Sequence, residues 1–232
     1  MTAALPDWHY DDLRQVGLDF GDEGEVASYD SRQGTDLSED RELLLTLGLE
    51  PEHVVADIGC GTGLLVAAAA QLCRRAHAVD ASRAMLAATR ARAKSLSLTN
   101  VETHHASFLS LDLAPASIDL VTSKFALHHL PDLWKGVALT RLRDLLKPGG
   151  RLFIRDVVLN CQPDELPAVA EAWIAWMGAN TGYTRAETAT HLREEHSTYG
   201  WIMERLIAEA GFELVSVQYE SPVYADYLAV RP

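Results

Sequence analysis

The sequence predicts an α/β fold on a mostly parallel sheet whose last strand runs antiparallel, and three observations lead there. From residue 54 onward, short apolar runs alternate with helical patterns, which is the signature of βαβ units. The first of these runs, VVADIG, opens directly into a glycine-rich turn and then a helix. The last two, FELVSVQY and VYADYLAV, are joined by only a few residues, a connection short enough to require a hairpin.

Taken in order, residues 1–36 read as an N-terminal lid segment of short helices and loops, and 37–232 as the main domain. DLSEDRELLLTLGL reads as a helix capped by Ser38. Then come strand VVADIG, helix GLLVAAAAQLC, strand RAHAVD, helix SRAMLAATRARAKSL and strand VETHHA. Strand IDLVTS follows, then a helix over DLWKGVALTRLRDLL stopped by KPGG, then strand RLFIRDVVL. Five parallel strands and the closing pair make seven. The rhythm breaks over residues 160–200, where Val169, Trp173, Trp176 and Met177 fall at helical spacing before a polar run. That helical insertion is expected to pack its aromatic face on the body and to serve as a candidate substrate cap. WIMERLIAEAG supplies the last helix, and no internal repeat is present.

Bulk properties narrow the function. With 232 residues, 48% hydrophobic and 23% charged, the chain can bury one substantial core. A formal net charge of −13 opposes binding to a phosphate backbone. The basic stretch from Arg83 to Lys94 reads instead as a solvated helix face. No run of about 18 uncharged apolar residues exists, and MTAALPDWHYDD has neither a basic start nor an apolar stretch. Cys60, Cys73 and Cys161 sit far apart with no CxxC pair, so neither a zinc site nor a disulfide framework is expected. The expectation is a cytoplasmic protein with a small-molecule substrate, no nucleic acid, no membrane and no metal.

The chemistry concentrates in VVADIGCGTG. Gly59, Gly61 and Gly63 stand where the chain must turn sharply and where a ligand approaches the backbone more closely than any Cβ would permit. A dinucleotide fingerprint, G-x-G-x-x-G, would need glycine where this chain has Leu64, which disfavours nicotinamide or flavin. Asp80 closes the second strand in AHAVDAS, and a carboxylate there can accept both hydroxyls of a ribose. Met85, in DASRAML, would lie beside the base.

VVADIGCGTG, AVDASRAML, SIDLVTSKFALHHLPD and LLKPGGRLFIRDVV, in this order, resemble the successive motifs of class I methyltransferases of the small-molecule type. The resemblance implies a Rossmann-like seven-stranded sheet with helices on both faces, and S-adenosylmethionine as cofactor, released as S-adenosylhomocysteine. Carried over by position, Asp57, Gly59 and Gly61, with Cys60 between them, would hold the methionine portion, and Asp80 the ribose, with Ala81 beside it. Ser123 and Lys124 would border the sulfonium, and Tyr29 resembles a lid tyrosine. Where relatives end the third strand in G-D-A, this chain has Ala106, Ser107 and Phe108, so adenine recognition leans on the Ser107 hydroxyl, backbone groups and stacking on Phe108. Lys124 also departs from the usual uncharged residue, and its ammonium should turn toward an acid or an anionic substrate.

Methyl transfer from a sulfonium is an in-line displacement, so positioning and exclusion of water are the main requirements. If the acceptor is a hydroxyl, His128 and His129 in FALHHLPD are the candidate bases, with packing as their competing role. Tyr183, His196, Tyr199, Trp173 and Trp176 are alternative pocket residues. SKFA stands where a nucleic-acid amino-methylase would carry N-P-P-Y or D-P-P-Y, and the clustered acids of a metal-dependent catechol-type enzyme are absent near that strand end; Asp156 alone does not make a site. Two readings compete with the transferase: a non-catalytic cofactor-binding module and a nicotinamide oxidoreductase, the latter also lacking a Tyr-x-x-x-Lys pair.

Overall fold

A computed structural model describes residues 6–14, 24, 26, 29 and 36–232. Most of the expected lid segment, 1–36, therefore lies outside the described residues. Helix α1 (Ser38–Thr46) precedes β1 (Val54–Ile58), α2 (Leu64–Ala70), β2 (Arg75–Asp80), α3 (Arg83–Ser95) and β3 (Val101–His105). These are followed by β4 (Ile118–Lys124), a 3-10 turn (Leu127–His129), α4 (Asp132–Leu145), β5 (Leu146–Leu159), α5 (Leu166–Asn180) and α6 (Arg185–Glu194). The chain closes with β6 (Thr198–Tyr199), α7 (Gly200–Glu209), β7 (Glu213–Ser221) and β8 (Tyr224–Val230).

Seven strands lie in the order β3-β2-β1-β4-β5-β8-β7, with the two-residue β6 paired to β5. β8 runs antiparallel to both of its neighbours while the other six share one direction. The expected sheet is thus observed. β1 is buried along its whole length because helices cover both faces. Val54, Ala56 and Ile58 meet the core under α4 and α7, whereas Val55 meets the one under α1 and α2. A smaller apolar cluster, Val157, Leu159, Trp173 and Val223, joins the end of β5 to α5.

Two expectations need correction. Ser38 is not the cap of α1 but its first residue, and its N–H donates to Asp36 Oδ1 at 2.9 Å, so the preceding acid satisfies that orphan donor. KPGG does not separate helix from strand; α4 ends at Leu145, and β5 begins at once with Leu146 paired to Ile118. The register then shifts before Arg151 meets Leu120. The polar run after α5 holds a second helix, α6, whose start is a capping box in which Thr184 Oγ1 accepts from Glu187 N–H and Glu187 Oε2 accepts from Thr184 N–H. The basic face of α3 is solvated at Arg83, Arg90 and Lys94, but Arg92 turns inward and donates to Thr62 O at 3.0 Å, bracing the glycine turn. No helix among the described residues is long and apolar enough to cross a membrane.

Candidate active site

In a parallel sheet the strands end together, and a crevice opens at their carboxyl ends where the order reverses. Here β1 and β4 part at that point, and a cavity of about 670 Å³ runs from the tip of β2 across to the end of β5. Its first half is built on the turn after β1. Gly59 N–H and Cys60 N–H donate to Val79 O at 2.8 and 3.0 Å, tying the turn to β2. Gly61 N–H donates to Asp80 Oδ2 and Ser82 N–H to Asp80 Oδ1, both at 2.8 Å. Ser82 also caps α3, accepting from Met85 N–H. Asp80 is thereby held facing the cavity, and burial pushes its carboxyl up to about 6 against those two backbone donors. Gly59 and Gly61 both have positive φ, +75° and +54°. A Cβ on Gly59 would meet Ala126 Cβ at 2.2 Å, whereas one on Gly61 would meet only Tyr29, no closer than 3.6 Å.

Met85, Ala106, Ser107 and Phe108 continue this half. Asp12, from the N-terminal segment, reaches the same corner; its Oδ2 accepts from Leu109 N–H at 2.7 Å, and burial raises its carboxyl. Tyr10 and Arg14 line the cavity beside it.

The second half joins an aromatic wall to a charged cluster. Phe125, in the left-handed backbone region at φ +54°, places its ring edge-on to Tyr224 at 5.9 Å, and Trp173 and Trp176 approach the same tyrosine at 6.2 and 6.5 Å. Trp173 Nε1 donates to Tyr224 Oη at 2.9 Å. Beside them His128 Nδ1 meets Asp156 Oδ1, His128 Nε2 lies 3.1 Å from Glu195 Oε2, and His191 Nδ1 meets that same oxygen. Burial opposes charge on His128, but Asp156 and Glu195 outweigh it and push its pKa up to about 9. Burial would raise Glu195 and Asp156, yet their imidazole partners hold both below the usual carboxylate range. Burial, reinforced by His128, pushes His129 down to about 3, and His129 Nδ1 is buried without a partner.

Comparison with known proteins shows the family of the chain. The profile of a family described as "Methyltransferase domain" matches residues 55–150. An uncharacterized methyltransferase of Bacillus cereus is 30% identical over 161 residues, covering 69% of each chain. The chain belongs to the S-adenosylmethionine-dependent methyltransferases. Among solved structures, the methyltransferase of Aquifex aeolicus shares the fold at a TM-score of 0.66 and 18% identity, covering 91% of this chain and 99% of its own. Phosphoethanolamine N-methyltransferase 2 of Haemonchus contortus, solved with S-adenosylmethionine, gives 0.72 at 16% identity, covering 91% of this chain and 57% of its own.

The family's cofactor fits what this methyltransferase offers. Bare backbone at Gly61 beside a carboxylate aimed into the cavity suits a ribose, since each oxygen of Asp80 keeps a lone pair after accepting its backbone bond. Met85 and Phe108, both buried, give an apolar slot alongside for a base.

Of the residues singled out from the sequence, Tyr29, Gly59, Gly61, Asp80, Ala81, Met85, Ser107, Phe108, Lys124, His128 and His129 all line the cavity. Asp57, Cys60 and Ser123 do not. Asp57 accepts from Thr122 Oγ1 at 2.7 Å, and burial pushes it up to about 7. Cys60 is buried with its thiol near Gly61 O, and Ser123 Oγ donates to Ile58 O at 2.9 Å. Lys124 Nζ donates to Asp40 Oδ1 at 2.6 Å, an acid on α1. Tyr183, Trp173 and Trp176 line the cavity. His196 and Tyr199 do not: the His196 carbonyl accepts from buried Lys135, and Tyr199 stacks on Trp201. Sequence reading missed Asp12, which nothing in its local pattern marks, and the partnership of His128 with Asp156, Glu195 and His191, whose segments meet only in space.

Proposed function

We propose that this methyltransferase moves the methyl group of S-adenosylmethionine to a small molecule with an aromatic or otherwise apolar body. The observation that carries the reading is the continuity of the cavity, which joins the Asp80 and Gly61 corner to the wall of Phe125, Trp173, Trp176 and Tyr224. Its volume lies in the range of small-molecule pockets. In this reading Gly59 and Gly61 cradle the methionine portion, Asp80 holds the ribose diol, Met85 and Phe108 sandwich the base, and Tyr29 covers the cofactor from the lid. Asp57, Cys60 and Ser123 act through the shape of the backbone. Lys124, engaged by Asp40, keeps its charge off the sulfonium.

When bound, the sulfonium supplies an activated methyl group; the chain's task is to hold an acceptor lone pair in line with it and keep water out. Neither adjacent histidine is assigned as a strong base. Both nitrogens of His128 meet carboxylates, and at neutral pH it retains its proton. His129 stays neutral but is too weakly basic to hold a proton for long. We therefore assign transfer to acceptors that bring their own nucleophile, such as an amine, a thiolate or an acidic hydroxyl. Residues 160–200 serve as the substrate cap, residues 1–36 as the lid and 37–232 as the transferase domain. Three unpaired cysteines support a reducing, cytoplasmic setting.

The test is an acceptor screen. The purified chain is incubated with S-adenosylmethionine and a panel of small aryl amines, thiols and phenols, and S-adenosylhomocysteine and methylated product are followed by mass spectrometry. Turnover on at least one small acceptor is expected; turnover confined to proteins or nucleic acids would overturn the assignment.

A further inference from the structure

The histidine and carboxylate cluster at the acceptor end is more elaborate than in-line methyl transfer requires. We propose that His128, His191 and Glu195 form a binding site for one divalent transition-metal ion of the zinc class, against the sequence-based expectation of no metal. Two segments bring these ligands together: the turn after β4, which carries His128, and helix α6 with the residue that caps its end, where His191 and Glu195 stand one turn apart. One ligand atom from each residue lies within 4.8 Å of the others. Glu195 Oε2 is the shared point, in contact with His191 Nδ1 and 3.1 Å from His128 Nε2. Tetrahedral zinc, with bonds of about 2.0–2.2 Å, sets its ligands roughly 3.3 Å apart, so a small opening of the cluster admits the ion.

The surroundings are those of ligands held in aim. A metal-binding imidazole has its other nitrogen engaged, which fixes tautomer and ring. His128 Nδ1 meets Asp156, which also accepts from the backbone N–H of His128 and Val157 at 3.0 and 2.8 Å. His191 Nε2 lies 2.8 Å from Ser197 Oγ, and the edge of Trp173 packs on the His191 ring at 5.1 Å. Two imidazoles and one carboxylate are the donor set of catalytic zinc, which takes three protein ligands and leaves a position open. All-oxygen cations such as calcium would be poorly served. A dication there takes the place of the proton between His128 Nε2 and Glu195, which leaves to solvent, and balances the charges of Asp156 and Glu195. Because all three ligands line the cavity, the open position gives onto its acceptor half. That an acceptor oxygen or sulfur occupies it rests on the proposed small-molecule transfer; the ion's site does not.

A second group, His77, Glu102 and His104, gives an internal control. It sits on β2 and β3, its Glu102 is exposed and shared with Arg75, and it does not line the cavity. The experiment uses the full chain stripped with chelator, titrated with Zn²⁺ by calorimetry in the presence of S-adenosylhomocysteine, whose own binding reports an intact fold. One ion per chain is expected. Glu195→Gln and His191→Ala should each weaken it at least about 100-fold, Asp156→Asn by about 10–100-fold, and His104→Ala not at all. Co²⁺ loaded in place of zinc should give the visible absorption of a four-coordinate ion, lost in Glu195→Gln. Absence of saturable binding, or binding lost in His104→Ala and kept in His191→Ala, overturns the site. Either result leaves small-molecule transfer standing, whereas a silent acceptor screen on zinc-loaded protein would count against the transfer reading alone.

Discussion

Asp80 must be a carboxylate in a place where burial favours its protonated form. Its pKa near 6 in the folded chain is above the ordinary 3.8, so without cofactor its ionisation weakens the fold as pH rises through 6. In the proposed site, bound ribose would reverse the preference, because two hydroxyls would donate to the ionised form. Affinity for S-adenosylhomocysteine, measured by calorimetry, should be level above about pH 6 and fall below it. Asp80→Asn should remove that dependence and weaken binding at pH 7.5 by about 1–3 kcal/mol, the value of bonds to a charged acceptor. A flat profile in the parent chain would refute the ribose assignment. The two glycines should separate by readout. Gly59→Ala drives a Cβ into Ala126 and should lower the melting temperature. Gly61→Ala places a Cβ no closer than 3.6 Å to any protein atom and strains φ, so it should lower the melting temperature less than Gly59→Ala while weakening binding, because the Cβ points into the ligand's volume.

At the scale of elements, the end of β4 is fastened to α1 by Lys124 and Asp40. The Asp40 side chain is only 7% exposed and its second oxygen has no partner, so Lys124→Met would strand a buried carboxylate. Breaking a fully buried pair costs about 3–5 kcal/mol. With the lysine side chain 26% exposed, a loss of about 1–3 kcal/mol in urea unfolding is expected, largely recovered by adding Asp40→Leu. Which elements could be read beforehand follows from how each is buried. β1 and β4 are covered on both faces and announce themselves as apolar runs, and the closing hairpin is forced by its short link. Helix α6 buries only Thr188, so it has no apolar stripe to read; its capping box was the available signal. The motifs located the glycine turn that lines the cavity but could not say which way each side chain points, hence Asp57, Cys60 and Ser123 inside the protein and not in the cavity. Asp12 reaches Leu109 across nearly the whole first half of the chain, and no local pattern encodes such a meeting.

For the whole molecule, the sheet sets the distance between the two halves of the site. Asp80 ends β2 and the aromatic wall stands over the end of β5, with β1 and β4 between them. Strands about 4.8 Å apart put roughly 14 Å between the two corners, beyond the range at which side-chain changes usually couple. The cavity should therefore behave as two separable sites on one rigid frame. Trp176 is the residue on which to test this, because it lines the cavity while half exposed, so its removal opens no hole in the core; Trp173, buried in the cluster beneath, would unsettle the fold instead. Once an acceptor is in hand, Trp176→Ala should raise its KM by about tenfold, the loss of about 1.4 kcal/mol of stacking and burial. The Kd of S-adenosylhomocysteine should hold within about 0.5 kcal/mol. If both constants moved together, the helices of residues 160–200 would be closing over cofactor and acceptor as one lid, and the division of the cavity into independent halves would fail.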